Sequence, residues 1–187
     1  ISDGDVNNDG LMDLLTNATS QAGGDIFLNK GSKSFERLSL LSPNSSPNNW
    51  YGELADFNND GRLDATYSEK QDAASYAFFT QSENGTFESY ELGIMAADEN
   101  PSFGATWADY DNDGDQDFLR GNALVAATAF DQLYENNGDG TFSPVTGTAF
   151  ETDGSFRSRS FSWADIDNDL ALDLFIGNNF PGMCKKL

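Results

Sequence analysis

Residues 107–119 read Trp107-Ala108-Asp109-Tyr110-Asp111-Asn112-Asp113-Gly114-Asp115-Gln116-Asp117-Phe118-Leu119: an acidic nine-residue loop between two apolar ends. The loop recurs three more times, at Asp5–Asp13, Asp56–Asp64 and Asp165–Asp173, its first Asp spaced by 51, 53 and 56 residues. Positions 1, 3, 5 and 9 carry Asp, except for Asn7 and Asn58 at position 3 of the first two copies. Oxygen side chains at such spacing form a cage for a hard divalent cation. A period near 50 residues marks a repeat fold.

The flanks of the loops decide which repeat. Apolar or aromatic runs precede the last three loops, at 50–54, 103–107 and 161–163. Others follow every loop, at 14–15, 65–67, 118–119 and 174–176. A third run comes some residues later, at 26–28, 76–79 and 133–134. A Gly/Asn turn then leads to Phe35, Phe87 or Phe142. Each run has strand length and is bounded by Gly, Asn, Asp or Ser. Asn137-Gly138-Asp139-Gly140 and Glu83-Asn84-Gly85 suit hairpin turns. The unit is strand A, acid loop, strand B, strand C, turn, strand D. Four antiparallel strands in each 50-residue repeat describe a β-propeller blade.

The expected fold is therefore all-β, a β-propeller of four-stranded antiparallel blades. We expect an incomplete arc of two full blades and two partial ones, with repeats at about 1–49, 50–102, 103–158 and 159–180. The first copy is expected to lack strand A and the last to end after strand B. Residues 1–187 would then form a single propeller region, a fragment whose remaining blades lie elsewhere.

Composition narrows the function. The net charge of −21 makes nucleic acid an unexpected partner, because phosphate binding needs a basic face. Four divalent cations would leave −13. The chain has no His and one Cys, Cys184, which removes a His-based triad and any internal disulfide. No apolar run is long enough to span a membrane. We expect no enzymatic activity in this chain.

An EF-hand also uses an Asp-rich loop, but it needs flanking helices and a Glu at position 12. Position 12 here is Thr16, Tyr67, Arg120 or Ile176. The expected metal residues are Asp5, Asn7, Asp9, Leu11 and Asp13 in loop 1, and Asp56, Asn58, Asp60, Arg62 and Asp64 in loop 2. In loop 3 they are Asp109, Asp111, Asp113, Asp115 and Asp117, and in loop 4 Asp165, Asp167, Asp169, Ala171 and Asp173. Position 7 would contribute a backbone carbonyl, and positions 1, 3 and 5 would converge. Oxygen ligands alone favour Ca²⁺ or Mg²⁺ over softer metals. Loop 3, the most acidic, is expected to bind tightest. Loop 4 is expected to be the weakest or distorted, because Leu170 stands where the others have Gly. The ions are expected to be structural.

Three further readings concern the rest of each blade. Trp50, Trp107 and Trp163 are expected to pack blade against blade. Arg120, Arg157 and Arg159 would pair with nearby acids, or else receive an anionic ligand. Asn17, Asn44 and Asn84 begin N-glycosylation sequons.

The 107–119 stretch, with Leu133-Tyr134-Glu135-Asn136-Asn137-Gly138-Asp139-Gly140-Thr141-Phe142 and Phe103-Gly104-Ala105, resembles FG-GAP/VCBS repeats. Such repeats build the propeller of integrin α chains and occur in secreted bacterial and cartilage-acidic-protein-like proteins. The resemblance implies up to four Ca²⁺ in the A–B loops, and an extracellular, cell-surface or periplasmic setting. It also implies a binding or adhesion role toward a protein or carbohydrate on the face opposite the metal loops. The alternatives are an accessory propeller of a secreted polysaccharide-active enzyme and a structural spacer in a surface protein.

Overall fold

The computed structural model describes residues 1–17, 24–40, 49–69, 76–93, 102, 104–122, 130–148, 158–178 and 184–186. The described residues contain fifteen strands and no helix. The first sheet runs Ser2–Gly4 (β1), Asp13–Asn17 (β2), Gly24–Asn29 (β3) and Phe35–Leu40 (β4), in that spatial order. The second runs Asn49–Ala55 (β5), Asp64–Glu69 (β6), Tyr76–Gln81 (β7) and Phe87–Tyr90 (β8). The third is Ala105–Ala108 (β9), Asp117–Arg120 (β10), Gln132–Asn136 (β11) and Phe142–Pro144 (β12). The fourth is Ser158–Ala164 (β13), Asp173–Asn178 (β14) and Cys184–Lys186 (β15).

Every pairing is antiparallel between chain neighbours, which is the four-stranded blade expected from the repeat. Each acid loop joins strands A and B. The C–D turn lies at that same end of the blade, and the B–C connection at the other. Phe35, Phe87 and Phe142 open strand D, as the spacing predicts.

Two strands correct the expected count. The first copy does have a strand A: Ser2, Asp3 and Gly4 pair with Leu15, Leu14 and Asp13. The last copy does not stop at strand B, because Gly177, Ile176 and Phe175 pair with Cys184, Lys185 and Lys186. Neither segment has the apolar alternation that reveals a strand in sequence. Their backbones pair with an adjacent strand regardless.

The chain divides into two compact units, Ile1–Glu99 and Asn100–Leu187. In the first, Leu15, Ile26 and Leu40 of one sheet, with Val6 of its acid loop, pack with Ala65, Tyr67 and Phe79 of the next. Tyr67 is fully buried and fills space left by two glycines. A Cβ on Gly24 would lie 2.1 Å from the Tyr67 ring, and one on Gly52 would lie 2.9 Å from it. In the second unit, Leu119 and Leu133 pack with Leu174 and Ile176, and Phe161 and Trp163 lean against that cluster.

Trp163 is half-buried against this cluster, which includes its own register partner Leu174. Within its own sheet Trp107 meets its register partner Phe118 at a tilt, 4.6 Å between ring centroids, and the edge of Phe142 at 5.9 Å. The Trp50 side chain, Arg157 and Asn44 lie outside the described residues. Arg120 is buried, so it is not displayed to an anionic ligand at the surface. Asn17 is half-buried in β2, whereas Asn84 is exposed in a C–D turn.

Candidate metal centre

The four loops share one backbone path. Position 4 is left-handed in each: Asn8, Asn59, Asn112 and Asn168 have φ of 56, 59, 63 and 61°. Asn tolerates this region better than other side chains. Position 6 is left-handed too, with Gly10, Gly61 and Gly114 at 84, 83 and 98° and Leu170 at 73°. Loop 4 is therefore not distorted. Leu170 takes the glycine conformation, with its side chain 82% exposed and no burial in return.

Two left-handed residues turn the amides of positions 5, 6 and 7 inward. The position 1 carboxylate accepts two of them. Asp5 receives Asp9 N–H (3.0 Å) and Gly10 N–H (2.8 Å), and Asp56 receives Asp60 N–H (3.0 Å) and Gly61 N–H (2.8 Å). Asp109 and Asp165 hold the matching pairs at 3.0–3.1 Å. The position 3 oxygens of Asn7, Asn58 and Asp111 accept the position 5 amide. Asp9, Asp60, Asp113 and Asp169 at position 5 each accept the position 7 amide.

Position 9 has a role that the spacing alone does not disclose. Asp13, Asp64 and Asp117 are almost fully buried. Each binds the last residue of strand C through Oδ1, from Asn29 (2.7 Å), Gln81 (2.8 Å) and Asn136 (2.8 Å). Oδ2 of Asp13, Asp117 and Asp173 accepts the position 2 amide of Val6, Tyr110 and Ile166. Asp64 differs: its buried Oδ2 has no donor at hydrogen-bonding geometry, although the Phe57 amide still favours its ionised form. The position 9 Asp therefore fastens the A–B loop to strand C.

Carboxylate oxygens of Asp109, Asp111 and Asp117 lie within 4.8 Å of one another, and so do those of Asp165, Asp167 and Asp173. Positions 1, 3 and 9 thus converge in loops 3 and 4. Asp113 and Asp169 at position 5 stand outside these triplets. In loops 1 and 2, Asn7 and Asn58 replace the third carboxylate. Position 7 side chains differ among the loops. Arg62 donates through Nε to the Gln81 carbonyl (2.9 Å) and pairs with Asp60. The Asp115 carboxylate lies over Gly138, 2.7 Å from where a Cβ would stand. Leu11 and Ala171 are exposed.

Burial and crowding raise three of these carboxylates, Asp64, Asp117 and Asp111. Burial, then the Asp60 and Asp56 charges, push Asp64 up to about 7 despite the Gln81 amide. Burial, then Asp111 and Asp113, push Asp117 up to about 6 against the amides of Asn136 and Tyr110. Asp111 is raised as well, by burial and by Asp113. Each of these costs falls if a cation shares the site. The donor set is oxygen only, so the residues suit a hard divalent cation.

Blades of this pattern, each with an acid A–B loop, define a repeat protein of the β-propeller type. The FG-GAP-like repeat family model matches residues 5–66 and 123–176, well over half of the chain, and the protein belongs to that family. The matches span loops 1, 2 and 4. Loop 3 falls between them, yet it has the same backbone path and hydrogen bonds as the others. No curated protein matches the chain.

Proposed function

We propose that the protein is a calcium-binding, non-enzymatic module whose A–B loops hold Ca²⁺ as a structural ion. The observation that carries this is the convergence of three carboxylates in loops 3 and 4, each triplet including a position 9 Asp hydrogen-bonded to the loop backbone. The bound ion supplies the positive charge that offsets this crowding. Positions 1 and 3 hold the loop path, and position 9 passes the constraint on to strand C. The expected ranking puts loop 3 first, with the most carboxylates, and loop 4 last, because of Leu170.

The family resemblance supports an extracellular, cell-surface or periplasmic setting, with a protein or carbohydrate bound at the blade end opposite the loops. Most of the connections at that end lie outside the described residues. Thermal unfolding tests the metal. Excess Ca²⁺ is expected to raise the melting temperature by several degrees over chelator, because a ligand that binds only the folded state stabilises it. Superimposable melting curves would exclude the calcium role.

A further inference from the structure

The last residue of strand C differs among the copies in one respect. In copies 1 and 3 it is Asn, and its side chain turns back to its own loop. Asn29 Nδ2 donates to the Met12 carbonyl (3.2 Å), and Asn136 Nδ2 donates to the Gln116 carbonyl (3.1 Å). In copy 2 it is Gln81, one methylene longer. Its Nε2 donates across to the Val6 carbonyl of loop 1, at 3.0 Å. This side chain is 4% exposed, so the bond is shielded from water.

Val6 and Gln81 thereby join the closing carboxylates of two loops. Asp64 Oδ1 accepts the Gln81 amide (2.8 Å), Gln81 Nε2 donates to Val6 O, and Val6 N–H donates to Asp13 Oδ2 (2.9 Å). Val6 also sits between Asp5 and Asn7, positions 1 and 3 of loop 1. Its N–H and its carbonyl belong to the two peptides that flank it, so these bonds constrain the backbone between Asp5 and Asn7 and tie it to Asp13.

We infer that cation binding at loops 1 and 2 is positively coupled through Gln81, which acts as a positioning residue. This rests on the calcium reading above. An ion on Asp64 fixes the carboxylate that holds the end of β7. That in turn holds the Gln81 side chain on Val6 and organises loop 1 in advance. Repulsion between the two ions opposes the effect, but salt screens it. Coupling is reciprocal, so emptying loop 1 weakens loop 2 by the same factor.

The test follows the Gly10 and Gly61 amide resonances, which report loops 1 and 2 separately, while Ca²⁺ is titrated into the whole chain at physiological salt. Disabling loop 2 with Asp56→Asn and Asn58→Ala, which leaves the Asp60–Arg62 pair beside Gln81 intact, is expected to weaken calcium at Gly10 about five-fold or more, the lower range of measured site-to-site couplings. In the Gln81→Asn background, which copies the residue of copies 1 and 3, the same change is expected to leave Gly10 unmoved. A Gln81 that merely supported the fold would lower the melting temperature yet leave the five-fold effect in place. Calcium binding with the same Gly10 midpoint whether or not loop 2 is intact overturns the coupling alone. No calcium response at either glycine overturns the calcium reading and the coupling with it.

Discussion

At the scale of single residues, Leu170 shows what the loop demands. A β-carbon in the left-handed region meets the following carbonyl and costs about 1 kcal/mol. Leu170 bears that cost with its side chain in solvent, so no packing offsets it. Two hydrogen bonds hold its peptide: its N–H on Asp165 (3.0 Å), and its carbonyl on Asn112 Nδ2 of the neighbouring loop (3.0 Å). Leu170→Gly is therefore expected to stabilise the protein by about 1 kcal/mol, less the entropy glycine loses on folding. Calcium affinity at loop 4 is expected to rise with it. Urea unfolding with and without Ca²⁺ checks both, and a destabilised Gly variant would rule out strain at this residue. This conflict was legible in the sequence, since Gly stands at position 6 in the other three copies. The part played by position 4 was not. Asn is an ordinary loop residue, and only the four positive φ values show that its tolerance of left-handed backbone is in use.

At the scale of elements, each blade depends on how its hairpins are fastened and how its neighbour fits. Strand periodicity and turn residues made the B, C and D strands readable. It did not reveal β1 or β15, because Ser2-Asp3-Gly4 and Cys184-Lys185-Lys186 lack an apolar face. Nor did spacing separate the two duties of the position 9 Asp, since its hydrogen bonds to strand C join residues 16 to 19 apart in the chain. The fit between sheets is equally invisible in sequence. Gly24 looks like a turn residue, yet it begins β3 against the Tyr67 ring. Tyr67 belongs to the buried cluster that joins the first two sheets, so it has little room to withdraw. Gly24→Ala is expected to destabilise by about 1–3 kcal/mol, the usual cost of overfilling a packed core. Gly10→Ala serves as the contrast. Its β-carbon would meet nothing, so only the cost of its φ of 84° remains. Gly24 has no left-handed φ to relieve or strain, so a Gly24→Ala variant as stable as the parent by chemical denaturation would show that the Tyr67 contact adds nothing.

For the whole molecule, charge sets the metal-free stability, and the proposed ion would act on the same carboxylates. Asp64 and Asp117 are raised from 3.8 to about 7 and about 6 in the folded state, chiefly by burial. Between the unfolded and folded values, the folded chain binds more protons than the unfolded one. Without metal, stability therefore falls as pH rises from about 4 through 7, and the raised carboxylates are a net cost above that window. The net charge of −21 acts in the same direction, because self-repulsion grows as the remaining acids ionise. In chelator, the melting temperature is thus expected to be higher at pH 5 than at pH 8. On the calcium reading the order is expected to reverse: the ligands of a bound ion must be ionised, so binding releases protons and weakens on acidification. With excess Ca²⁺ the pH 8 sample is expected to gain most, and the difference between chelator and calcium should shrink toward pH 5. Asp64→Asn with Asp117→Asn removes the two most strongly raised carboxylates and is expected to flatten the chelator profile. A chelator melting temperature that climbs from pH 5 to pH 8 would mean that these carboxylates are not the groups that set the metal-free stability.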